Sequence, residues 1–468
     1  MPVRRRVRVL LGVAAATAGV VVGVAPPASA AAPYCTVRWL GGSGSWGDDT
    51  RWSTGQAPRA DDFVCVLRGD APTAVVTLDT ARTVAALAIR GAALRAPRGT
   101  SLTTGDLDAT RATLTGAGTV TGEDGELSVV DSTLGGGVHL VADGSLFLGG
   151  VVTLAGGATL DQPDLAQGLT RFADVTEVRD GDGHPANHLA FGGLSVAVAG
   201  SLTVGVPLAV RGVSLEVTGT ARLRELDELD ASGRLQADPS SYVVLSTAGT
   251  GTMTLPRKVT AVGPGALVEG GALRTPTDDD ALTDLTTVQG GLALTRDLTV
   301  PHPLDVSGAL RTTATLRSGA ITVHDGGSLS ARSASSPPAA VDAPSVTVDA
   351  RSTLDALGVS GQVVSAGTNG LSGATLGSLQ LGPPAATTLS AAATTTVTGA
   401  ATVAGRLTVG LPPRWATPPD GTRLVLLSAA GGVTGRFGLV RTVPSARGSV
   451  TLEYTPTQVV AVFHAPPG

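Results

Sequence analysis

The chain has 468 residues, of which 63 are Gly, 42% are apolar and only 3% are aromatic, so its core must be built from small aliphatic side chains rather than large rings. A formal charge of −5 at pH 7 argues against nucleic acid as a partner. After the N-terminal region no run approaches the ~18 uninterrupted apolar residues of a membrane span, so the mature chain is expected to carry no transmembrane segment.

The first thirty residues combine Arg4, Arg5, Arg6 and Arg8, an apolar run from Val9 to Val24, and Ala28-Ser29-Ala30. This order predicts a secretory signal peptide cleaved after Ala30, and hence a secreted or extracellular protein. Cleavage takes the net charge to −9, because four arginines and no acids leave. Cys35 follows Pro33-Tyr34 rather than small residues, so no lipid anchor is expected, and His464 to Gly468 contains no hydrophobic sorting tail. Cys35 and Cys65 are the only cysteines of an exported chain and are expected to pair, stabilising it by roughly 3.5 kcal/mol on the chain-entropy model.

Residues 31–66 form a Trp-rich stretch with Tyr34, Trp39, Trp46, Trp52 and Phe63. The rings become sparse until Trp415, Phe437, Tyr454 and Phe463 near the other end. Aromatics at both ends suit caps over the open first and last turns of a coiled sheet. Trp39, Trp46 and Trp52 could instead stack on sugar faces, as a carbohydrate-binding module does.

Between these ends the chain repeats one pattern. Residues 135–160 (GGGVHLVADGSLFLGGVVTLAGGATL) set Val and Leu at every second position and break the runs with Gly pairs or Asp143-Gly144, which is strand alternation punctuated by tight turns. The same pattern returns at 192–220, 290–300, 319–330 and 396–411. Gly-Ser-Leu recurs at 144, 200, 327 and 377, with Gly-Arg-Leu at 233 and 405. Uneven intervals leave the register open, but rungs of about 20–25 residues are expected over 67–411, with Leu146, Leu148, Leu202 and Val204 facing inward. Four polar stretches interrupt the rhythm. Residues 161–191 read as a protruding loop insertion, 221–238 as a short helix or a charged rung, and 274–287 and 331–344 as loops. Residues 412–468 are assigned as the C-terminal cap.

The run Trp39-x-Gly-Gly-x-Gly-x-Trp46, with Arg51-Trp52-Ser53, Pro58 and Asp61 to Val64, resembles the opening of many secreted bacterial β-helix proteins and of autotransporter-like passenger domains. Gly421-Thr422, Leu424 to Leu427, Val433 to Phe437 and Leu452-Glu453-Tyr454 are similar to the last rungs of such passengers. Because no amphipathic β-barrel stretch is evident between the expected C-terminal cap and Gly468, self-translocation through an outer membrane is not expected. The resemblance implies an all-β right-handed parallel β-helix, a β-solenoid, used for adhesion, display or polysaccharide contact.

For chemistry, Asp180-Gly-Asp182-Gly-His184 with Asn187 and His188 gathers oxygen and nitrogen ligands in nine residues. Its opening suits a calcium loop, yet position twelve is Phe191 instead of a bidentate Glu, which favours a solvated turn. Asp278 to Asp280, Asp48-Asp49 and Asp61-Asp62 read as turn residues. Acids at a constant rung offset, which a polysaccharide lyase or glycoside hydrolase would need at ~5–9.5 Å, are not evident. His139, His302, His324 and His464 stand singly. The residues therefore point to an exported, non-enzymatic adhesion or scaffold protein with no obligatory cofactor; a polysaccharide or cell-surface component is the expected partner. Polysaccharide cleavage on the same fold is the alternative.

Overall fold

The structure, a computed structural model, describes residues 34–68, 74–163, 169–192, 195–239, 241–270, 272–332, 339–411, 419–443 and 449–465. The N-terminal stretch expected to be a signal peptide, Trp415, and parts of the 161–191 and 331–344 stretches lie outside the described residues. The chain divides into two units, residues 1–34 and 35–468, and the architecture below belongs to the second.

Alternating small aliphatics fold here into short strands that stack in parallel on the turn before. Among the described residues there is no α-helix, only one 3-10 turn at Asp49–Arg51. One inward position can be followed through every rung. Val37 stacks under Val64, then Leu87, Leu107, Leu127 and Leu146. The ladder continues through Thr170, Val196, Leu215, Leu245, Val268, Leu292, Leu310, Leu329 and Leu354. It ends through Asn369, Thr387, Leu407 and Val440. The chain is thus an all-β parallel β-solenoid. Leu146, Leu148, Leu202 and Val204 are buried as the alternation requires, and each such side chain contributes about 1.5–3 kcal/mol. The turn length varies more widely than 20–25 residues: the shortest step runs from Leu354 to Asn369, the longest from Leu407 to Val440.

The recurrent Gly-Ser-Leu is a corner of the coil. At Gly144 a Cβ would lie 2.1 Å from the carbonyl oxygen of Gly125 one rung below, and at Gly200 2.0 Å from that of Asp174. Only glycine permits this approach. The following Ser turns outward and the Leu inward.

The two ends close differently. At the start, Cys35 and Cys65 form a disulfide, and Trp39, Trp46 and Trp52 pack edge to face, with centroids 4.8 and 5.1 Å apart. Trp52 Nε1 donates to the Trp46 carbonyl at 2.8 Å and Trp39 Nε1 to that of Gly42 at 3.0 Å. At the far end the parallel rule is broken: Gln458–His464 runs antiparallel between Arg423–Ala429 and Ser449–Tyr454. Phe437 and Phe463 are buried there, and the Phe437 N–H donates to the Tyr454 hydroxyl.

One of the interruptions is corrected and another is decided between its two alternatives. Residues 161–191 are not one protruding loop, because Leu169–Asp180 and His188–Phe191 are strands of the coil and Val178, Leu189 and Phe191 are buried. Residues 221–238 are a charged rung rather than a helix, since Thr220–Leu226 is a strand stacked on Ser201–Val210. Residues 275–286 are irregular as expected, yet they tuck Ala281, Leu282 and Leu285 into the core.

Another inward column runs Leu102, Val120, Leu140, Leu160, Leu189, Leu208 and Leu226. It stops there. A second sheet opens at Arg234–Leu235, and a tight turn closed by the antiparallel bridge Leu229–Leu235 lies between.

Candidate functional site

Around that break the outer surface changes character. On the preceding rungs the outward column beside Leu140 reads Ser101, Thr119, His139, Thr159, His188, and its neighbour Thr103, Thr121, Val141, Asp161, Ala190. Stacking therefore brings His139, Asp161 and His188 together, although 49 residues of sequence separate the two histidines. His139 Nε2 lies 2.8 Å from Asp161 Oδ2, His188 Nδ1 lies 3.9 Å from Asp161 Oδ1, and His188 Nε2 lies 3.0 Å from Asp227 Oδ2. Asp227 is the first residue after the interrupted column.

The groups fix one another's protonation. Burial alone would raise the Asp161 carboxyl, but His139 and His188 outweigh it and hold it well below the usual carboxylate range. Asp161 and then Asp227 push the His188 imidazole up to about 9, against partial burial. His139 is raised as well, by Asp161. Next in sequence, Glu228 is pushed up to about 7 by burial, against the Val210 N–H that donates to its Oε1 at 2.8 Å. Its other oxygen is buried with no hydrogen-bond partner among the described residues. Beside this cluster lies a shallow hollow of about 330 Å3, floored by Val141, Pro163 and Ala190 and rimmed by His139, Asp161 and Arg211.

A larger hollow of about 390 Å3 lies far along the coil, between Pro301 and Pro344. Its charges are the partly exposed Arg317, 3.5 Å from Asp297 and 3.9 Å from Asp342. Such solvated pairs contribute little, so the smaller hollow, with its interlocked and partly buried groups, is the better candidate.

Of the candidate site residues expected from the sequence, only His188 belongs to this cluster. Trp39, Trp46 and Trp52 are 6, 0 and 1% exposed. The sugar-stacking assignment is therefore corrected: no ring offers a free face, because each is packed against another ring or the first rungs. Asp180, Asp182, His184 and His188 do not converge on a cation. The Asn187 amide nitrogen occupies the centre, donating to Asp180 Oδ1 at 2.8 Å and Asp182 Oδ1 at 2.9 Å. Asp182 also accepts from the Gly156 and His184 N–H groups, His184 Nδ1 accepts from Ala186 N–H, and His188 points to Asp161 and Asp227 instead. Among the described residues no group of three or more His, Cys, Asp or Glu is arranged to hold a metal ion. Asp48, Asp49 and Asp62 accept backbone N–H bonds in turns, as expected. His324 bonds to Asp305 and Asp325 on an exposed flank.

No helix among the described residues is long and apolar enough to cross a membrane. No family model matches the chain, and neither a curated relative nor a solved structure matches it.

Proposed function

We propose that this chain is an exported solenoid of the secreted bacterial β-helix kind, working outside the cell as an adhesive or scaffolding surface. The observation that carries this reading is the ladder from Val37 to Val440, which stacks every rung in register on the one before. At about 4.8 Å per rung this spans roughly 85 Å, a stiff support on which outward side chains hold fixed spacing. The disulfide suits an oxidising compartment.

A second reading is cleavage of a polysaccharide. Asp161 and Asp227 flank a single imidazole ring, the kind of separation, roughly 5–9.5 Å, that carboxylate pairs use in glycoside hydrolysis. One experiment separates the two. The purified chain from residue 31 onward is incubated with soluble and insoluble polysaccharides and with fixed bacterial cells, and both protein depletion and new sugar ends are followed. The scaffold reading expects depletion without products; new ends that vanish in Asp227→Asn would establish the enzyme instead.

A further inference from the structure

We propose that the hollow over Val141, Pro163 and Ala190 is a binding site for a small organic carboxylate, with Arg211 meeting the anion and His139 as a second donor. The inference does not depend on whether the solenoid adheres or cleaves.

Charge is the first argument. The mature surface is acidic overall, yet the hollow's carboxylate is already engaged: Asp161 lies between His139 and His188, and Asp227 meets the other side of His188. Glu228, whose charge acts on Arg211, is turned inward on the Val210 N–H, and burial favours its uncharged form. Arg211 is exposed at the rim. A guanidinium presents paired N–H groups that match a carboxylate in two parallel bonds. The half-exposed His139 ring lines the same hollow.

Size and lining are the second. About 330 Å3 is the lower end of the range for small-molecule sites, which join an apolar floor to a few placed polar groups. Val141, Pro163 and Ala190 give such a floor for the carbon face of a ring, while Gln162 beside them is committed to Thr170 and to the Gly144 carbonyl. A sugar-sized carboxylate fits this pattern better than a bare inorganic anion, which would leave the floor uncovered.

Saturation-transfer NMR on the full mature chain at pH 6 tests it with D-glucuronate, D-glucose and inorganic phosphate as probes. Glucuronate should bind, glucose at least about tenfold more weakly, and phosphate should not displace glucuronate at equal concentration. Arg211→Ala should weaken glucuronate about tenfold and Arg211→Lys less, whereas Arg222→Ala, an exposed arginine in the strand Thr220–Leu226, should change nothing. Circular dichroism confirms that each variant is folded. Absent binding, equal binding of glucose, displacement by phosphate, or equal loss in Arg211→Ala and Arg222→Ala would each overturn the assignment.

Discussion

The rungs from Leu87 to Leu154 and those from Asp161 to Leu235 use the same alternation but place different residues outside it. In the first region the step is almost constant, with Leu87, Leu107, Leu127 and Leu146 in line, and outward positions such as Thr113, Thr133 and Thr153 stack like on like. In the second the step lengthens, Thr170 enters the inward ladder, the outer face gathers His188, Asp227 and Arg211, and Glu228 turns inward beside them. Regular rungs make interchangeable surface. Where the period breaks, polar groups must be satisfied one by one, and that is where a surface becomes specific.

The comparison can be broken at several points. The largest effect is expected at the seal beneath the first region: Trp46→Ala removes a fully buried ring and should cost about 3–5 kcal/mol in denaturant unfolding. A small loss with abolished sugar binding would restore the stacking role. Reducing the Cys35–Cys65 bond, which closes a 30-residue separation, should cost about 3.5 kcal/mol, read as a lower melting temperature in dithiothreitol. In the regular ladder, Leu127→Ala should cost about 2–5 kcal/mol, while Thr133→Ala outside it should stay within about 0.5 kcal/mol. Comparable losses would mean that the faces are assigned the wrong way round.

The second region should show its charge cluster in pH. His188 is raised from 6.5 to about 9, so its stabilisation is complete below pH 6.5 and is lost as pH rises through about 9. Glu228 is raised from 4.5 to about 7, so its contribution is lost between those values as pH rises. Asp161 is depressed, so its contribution is lost only in strong acid. The melting temperature should therefore fall from pH 5.5 to pH 9.5, and His188→Gln should flatten the upper part of that fall. An unchanged profile in the variant would remove the cluster from the stability of this region.

Much of the fold was legible because its corners are chemically forced. Gly-Ser-Leu marks a backbone contact that excludes a Cβ, an outward residue and an inward residue, and each of these leaves a trace in sequence. The 161–191 stretch was harder because Thr170 and Asp180 occupy positions stacked on Leu146 and Leu154, so the apolar rhythm vanishes although the strands continue. Thr170 is satisfied by Gln162, a pairing no local motif announces. In 221–238 a register shift at Val204/Pro207 moves Leu226 three residues past Leu223, which imitates helical spacing. The candidate site was hidden for the same reason. His139, Asp161, His188 and Asp227 are ordinary single residues until the rung register is known, and uneven rung lengths conceal the register.

The site exists only in that register, so the most direct measurement is cross-linking between outward positions on neighbouring rungs. Thr133 and Thr153 are parallel partners, and at about 4.8 Å their Cα atoms fall within the range a disulfide bridges. Thr133→Cys/Thr153→Cys should oxidise readily to an internal bond, while Thr113→Cys/Thr153→Cys, two rungs apart, should not. Equal cross-linking of both pairs, or of neither, would contradict the parallel solenoid in this register.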